Sequence, residues 1–327
     1  MNKKLFFILL FALVGCSSFH ERQPQSELAP TPWYYENTFY QVNAPLIESV
    51  YLRTGYYLEA KNTNFKGCVL YLEGLGDSVA NQAPLFQYLS ANGYRVIFFD
   101  DMGQGGSQGS MNDSRIVDPL NPSLEISTQA KSVWEKYAHQ KDEVYGRDCS
   151  QSKKMLIGWS TGGLAAYSLA NDQWPDAVVL ITPGIHTRKF LGEAATSPQK
   201  MLTGAQVITE RTLTSNTYKN TFDPHIEPIK PISPYIIPMF AMNMTLSSEL
   251  SQHWTISPKV KGLVFLSGPE DTYVDSAATR ESLKIGAPHF APVIYQNSLH
   301  EIQNEVPAIA NDMHQRTVQF FDSLGGK

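Results

Sequence analysis

The chain has 327 residues, 42% of them hydrophobic and 17% charged, and a formal net charge of -5. Such a composition describes a globular chain, long enough for one large core or for a core with a modest addition. The acidic balance, without any long lysine–arginine run, argues against nucleic acid as a partner.

The first residues differ from the rest. Lys3 and Lys4 precede an apolar run from Leu5 to Val14. The run is short of the roughly 20 residues a spanning helix needs, and it has the shape of a secretory signal. Its end, Leu13, Val14, Gly15 and Cys16, resembles the lipobox of a bacterial lipoprotein precursor. That resemblance implies a signal peptide over residues 1–15 and a lipidated Cys16 as the first mature residue. It also implies attachment to a membrane surface, with Ser17 favouring the outer membrane. Residues 16–40, polar and proline-marked at first, read as a tether feeding into the fold. In an exported chain Cys68 and Cys149 can oxidise, and the sequence leaves a disulfide and two idle thiols equally open. Neither has a C-x-x-C partner or a nearby histidine, so no metal or redox site is expected.

From residue 41 the chain alternates short apolar strands with amphipathic helices. Residues 49–62 suggest a hairpin, 67–74 a buried strand, 84–94 a helix ended by Asn92-Gly93, and 95–100 another strand. Residues 123–140 carry apolar side chains at helical spacing. A strand at 154–159, a helix at 162–171 and a strand at 176–184 follow. This beat predicts an α/β fold with a mostly parallel sheet covered by helices. It stops over residues 185–258, then resumes with a strand at 259–268, a helix at 274–286, a strand at 291–298 and a last helix. A structureless loop of that length is unusual, so 185–258 reads as a helical cap inserted into one core spanning 41–184 and 259–327.

Within that frame, Gly158-Trp-Ser160-Thr-Gly162 falls between a strand and a helix, the setting a nucleophile elbow requires. Glycines at 158, 162 and 163 allow a sharp turn and close packing. Ser160 is then the candidate nucleophile, above a helix N-terminus that favours developing negative charge. A base and an acid should follow in the order acid, then histidine. Of His289, His300 and His314, only His300 follows a strand at the edge where Ser160 lies; His314 falls inside a helical pattern and is expected on its surface. Glu270, Asp271 and Asp275 compete for the acid, and Asp271 is the choice, with Asp275 its rival. The oxyanion hole needs two backbone N–H groups. Thr161, after the nucleophile, offers one, and Leu75, between Gly74 and Gly76, offers the other. The glycine-rich stretch 99–109 matches no phosphate loop and reads as a packed turn near the site.

Taken together, Glu73 to Asp77, Phe99 to Gly109, Gly158 to Gly163, Ser267 to Asp275 and Ser298 to Glu305 resemble the α/β-hydrolase superfamily. More closely, they resemble its monoacylglycerol lipase and lysophospholipase-like group, also known as serine aminopeptidase S33 hydrolases. The resemblance implies an eight-stranded, mostly parallel sheet and a Ser160–His300–Asp271 triad. It implies Leu75 and Thr161 as oxyanion donors, no metal or organic cofactor, and a lipid or other small ester as substrate. Two positions depart from the family pattern. Glu73 stands where a histidine is usual before the oxyanion residue, and Gln104 stands where the Gly-His-Gly of the fourth-strand loop has its histidine. Other readings of the same residues are a small-acyl esterase, thioesterase or peptidase, or a binding protein that keeps the fold without turnover.

Overall fold

A computed structural model describes residues 31–41, 49–109, 122–188, 213–215, 226 and 238–325. The signal segment, Cys16 and most of the 185–258 insertion lie outside the described residues. Eight strands form one sheet in the order β1-β2-β4-β3-β5-β6-β7-β8. They are β1 (Trp33–Tyr40), β2 (Val50–Tyr57), β3 (Gly67–Leu72), β4 (Tyr94–Phe99), β5 (Met155–Trp159), β6 (Ala177–Ile181), β7 (Lys261–Leu266) and β8 (Ala291–Ile294). β1 pairs antiparallel with β2, and β2 with β4. All the remaining pairings are parallel.

Two expectations change at the N-terminal edge. Residues 33–40, given above to the tether, form strand β1 and pair along their whole length with β2. The hairpin expected within 49–62 is instead a single strand, β2, whose hairpin partner lies upstream. Between Trp33 and Tyr40, buried at its ends, β1 alternates half-buried and exposed positions. Such a half-exposed edge strand carries enough polar residues to look like linker.

Strands β3 to β6 are buried on both faces, so they read as unbroken apolar runs. Alternate residues point to opposite sides. On one side Leu70, Leu72, Leu156, Leu180 and Val264 meet helices α2 (Pro122–Ala138) and α3 (Ser160–Asn171). On the other side Val69, Tyr71, Ile157, Val179 and Phe265 meet α1 (Ala83–Ala91) and the last helix. Three further helices are α4 (Pro238–Ser251), α5 (Ser276–Gly286) and α6 (Pro307–Ser323). α4 belongs to the inserted segment, and its Met244 packs into the α3 side of the core. Among the described residues no helix is long and apolar enough to cross a membrane.

Far from the C-terminal ends of the strands, Cys68 at the start of β3 is bonded to Cys149, with Cα atoms 5.7 Å apart. Both are fully buried. Beside the bond, Arg95 of β4 pairs with Glu59 at 3.1 Å and Asp142 at 2.6 Å. The disulfide closes a loop with a sequence separation of 81 residues. Disulfides typically stabilise by about 2–4 kcal/mol, chiefly by restricting the unfolded chain. The double variant Cys68→Ala/Cys149→Ala should therefore lose about that much unfolding free energy and show a lower urea midpoint. An unchanged midpoint would show that the bond adds nothing.

Candidate active site

The parallel strands all end on one edge, and the four loops of the site spring from it. The β3 and β5 registers align Leu72 with Gly158, and the β7 and β8 registers align Leu266 with Ile294. The loops after these strands therefore converge.

Ser160 follows β5 directly and opens α3, at φ 53°. A non-glycine residue in that region is strained, and it persists only where the surroundings hold it. Two glycines explain how the turn closes. A Cβ on Gly158 would lie 2.4 Å from the Gly162 carbonyl oxygen, and one on Gly162 would lie 2.3 Å from that of Leu72. Only glycine fits at either position. Gly184 after β6 donates its N–H to the Ser160 carbonyl at 3.0 Å, fixing the turn from the other side.

The Ser160 hydroxyl lies 2.8 Å from His300 Nε2. Nδ1 of the same ring lies 2.9 Å from Asp271 Oδ2. With Nδ1 donating to the carboxylate, Nε2 is left to accept from the serine. The structure thus brings Ser160, His300 and Asp271 into one hydrogen-bonded line. His300 and Asp271 are each 2% exposed.

Each member is held by its neighbours. Asp271 Oδ2 accepts from Ser267 Oγ at 2.5 Å, and Oδ1 accepts from the N–H groups of Tyr273 and Val274 at 2.8 and 3.1 Å. Burial by itself would raise this carboxyl. The facing His300 ring and these hydrogen bonds outweigh it and hold Asp271 below the ordinary aspartate range. The His300 carbonyl accepts from Trp159 Nε1 at 3.1 Å and from Thr182 Oγ1 at 2.8 Å. The Tyr273 ring stacks on the imidazole with centroids 4.8 Å apart.

The other candidates go elsewhere. Asp275 caps α5 through Ala278 N at 3.0 Å and faces Arg188 at 3.6 Å, and Glu270 is exposed. His289 bonds the Val260 carbonyl at 3.0 Å. His314, expected on a helix surface, is buried, and its Nε2 donates to the Gln303 carbonyl at 3.0 Å. Burial pushes its imidazole down to about 4, so it stays neutral and braces the loop that carries His300. Thr161 is buried in the first turn of α3, and Leu75 is half-buried in the loop after β3. Trp159, Thr182, Ser267 and Tyr273 were not singled out in the sequence. Trp159 lies inside the elbow pattern and Ser267 and Tyr273 inside the stretch that carries the acid, so each had a signal that could have found it; Thr182 had none. Among the described residues no group of three His, Cys, Asp or Glu side chains is placed to hold a metal ion.

No curated protein matches the sequence. In three dimensions the chain is similar to a soluble variant of the monoglyceride lipase of Saccharomyces cerevisiae, with 16% identity and a TM-score of 0.57 over 90% of this chain and 99% of that one. It is similar to the monoacylglycerol lipase of Paleococcus ferrophilus, with 19% identity and a TM-score of 0.55 over 83% and 98%. A lipase in an open form aligns at 15% identity and a TM-score of 0.64, over 90% of this chain and all of that one. At these identities the likeness speaks for the fold. The sequence also matches the serine aminopeptidase S33 family across residues 63–307, from before β3 to the start of α6, and the chain therefore belongs to that family of α/β-hydrolases.

Proposed function

We propose that this serine hydrolase cleaves carboxylic esters of lipids, lysophospholipid or monoacylglycerol, at a membrane surface to which Cys16 anchors it. The observation that carries the catalytic part is the continuous line from Asp271 through His300 to a Ser160 held at φ 53°.

In this reading Ser160 Oγ attacks the acyl carbonyl carbon while His300 Nε2 takes its proton. The oxyanion is received by the N–H groups of Leu75 and Thr161. The Thr161 donor lies in the first turn of α3, whose dipole favours negative charge. His300 then passes the proton to the leaving alcohol, and the acyl-enzyme forms as the ester bond breaks. Water, deprotonated by His300, releases the acid and restores Ser160. Asp271 keeps Nδ1 protonated and stabilises the imidazolium.

Three features support the lipid and envelope parts. The inserted stretch 231–244 is rich in apolar residues. Met244, on α4, would lie 3.8 Å from a Cβ on Gly184, whose N–H bonds the Ser160 carbonyl. An insertion whose apolar side chains pack this near the nucleophile's turn suits an acyl-chain substrate. The Cys68–Cys149 bond fits an oxidising compartment outside the cytoplasm. Two of the similar folds bear the names monoglyceride lipase and monoacylglycerol lipase.

A fluorophosphonate probe should label the purified protein and leave Ser160→Ala unlabelled; an unlabelled wild type would sink the enzyme reading. Asp271→Asn should lower kcat about 10⁴-fold by presenting the wrong tautomer of His300. Asp275→Ala should instead cost about 1 kcal/mol of stability as a lost helix cap, with little change in kcat. Equal losses from the two would reopen the choice of acid. On p-nitrophenyl esters, kcat/KM should rise from short to medium and long acyl chains, and monoacylglycerol or lysophospholipid should be hydrolysed. Activity confined to short chains would point to a small-ester substrate.

A further inference from the structure

The two positions where this chain departs from its family's pattern touch each other. Gln104 Nε2 donates to Glu73 Oε1 at 3.2 Å. The same nitrogen reaches Asp101 Oδ2 at 3.2 Å and the Gly74 carbonyl at 3.4 Å. At the other end of the amide, Gln104 Oε1 accepts from the Gly76 N–H at 2.6 Å. The partners fix the orientation, because an N–H requires the oxygen and three oxygens require the nitrogen. One side chain therefore grips both ends of Gly74-Leu75-Gly76, whose central N–H is the oxyanion candidate.

That loop needs an external grip. Gly76 sits at φ 84° and is exposed, and glycine alone does not prefer that conformation over many others. Gln104 is suited to the task. It is 2% exposed, and its own N–H bonds the Asp101 carbonyl at 2.9 Å. The following turn is pinned by Asp100, which accepts from the Gly106 N–H at 2.7 Å and pairs with Arg53 at 2.5 Å. Glu73 is held in turn by the Asp101 N–H at 2.7 Å. Its second oxygen, Oε2, is buried without a partner among the described residues, as is Asp101 Oδ1. Burial, then the charges of Asp100, Asp101 and Asp77, pushes the Glu73 carboxyl well above the usual range.

We infer that Gln104 is the positioning residue of the oxyanion loop, its side-chain amide holding Gly74 and Gly76 so that the Leu75 N–H is aimed in advance at the tetrahedral oxyanion. The inference rests on Ser160 being the nucleophile, but the grip itself can be read without turnover.

The test uses the full chain and the variants Gln104→Met, Gln104→Asn and Gln104→His. Met removes both polar ends, Asn withdraws them by one methylene, and His can accept at one ring nitrogen and donate at the other. Misaiming one oxyanion donor should lower kcat on p-nitrophenyl butyrate about 30-fold in the Met and Asn variants. KM should stay within about threefold, since the interaction is made only in the transition state. The Ki of a trifluoromethyl ketone, which adds to the serine as a tetrahedral oxyanion, should rise by a similar factor. Gln104→His should recover kcat to within about fivefold of wild type. Hydrogen–deuterium exchange over residues 73–78 should speed up in Met and Asn and not in His.

A folded Met or Asn variant with wild-type kcat, a loss confined to KM, or unchanged exchange over 73–78 would overturn the inference. If Met does not fold, Asn carries the same outcomes. If the wild type neither turns over nor labels with fluorophosphonate, the nucleophile reading fails by itself. The exchange measurement then still decides whether Gln104 holds the loop.

Discussion

The site depends on how closely the Ser160 turn packs under the end of β3. Atoms of the Leu72 and Glu73 carbonyls stand 2.3 and 2.4 Å from where a Cβ on Gly162 would be. The same backbone continues into Gly74, Leu75 and Gly76. So the peptide that seats the nucleophile is joined directly to the peptide that would receive the oxyanion. Their spacing is set by main chain, which cannot change rotamer. A side chain wedged between them would separate attack from charge stabilisation, and a displacement of about 1 Å in such a constellation costs about a hundredfold in rate.

Around this contact the protein buries an unusual number of carboxylates. Asp77, Asp100, Asp101, Glu73 and Glu305 are all 3% exposed or less. Most of them tie one loop to another, and Asp77 closes its own loop. Arg53 from β2 joins Asp100 and donates to Ser78 Oγ at 2.9 Å, while Asp100 Oδ1 accepts from the Val79 N–H at 3.0 Å. Asp77 receives Asn81 and Gln82 at 2.8 and 2.7 Å. Glu305 accepts from the Leu299 N–H at 2.9 Å, just before His300. Buried charge is weak evidence of stability and a good means of fixing geometry. Here it fixes the three loops that meet over Ser160, after β3, after β4 and after β8.

The sequence carried the architecture because buried parallel strands are continuous apolar runs, and their spacing by helices leaves few other folds. The Ser160, Asp271 and His300 positions followed from strand ends and chain order. What stayed hidden was decided by partners distant in sequence. β1 looked like tether because an edge strand needs only one apolar face. Asp275 and Asp271 differ in role only because one begins a helix and the other faces inward, four residues apart. His314 looked solvent-facing until Gln303 supplied its acceptor. Glu73 and Gln104 read separately as two substitutions, since nothing in a linear chain shows that residues 31 positions apart share a hydrogen bond. Cys68 and Cys149 were ambiguous for the same reason.

The φ of 53° at Ser160 has an evolutionary edge. The backbone at that position would be most at ease as glycine, which has no Cβ to crowd the following carbonyl. Reactivity and folding therefore pull against each other at a single residue. Selection for thermal tolerance alone, in nature or in the laboratory, would favour replacing the whole hydroxymethyl group with a hydrogen, which removes the Cβ and the hydroxyl together. At this position the hydroxyl and the most relaxed backbone cannot be had in the same residue.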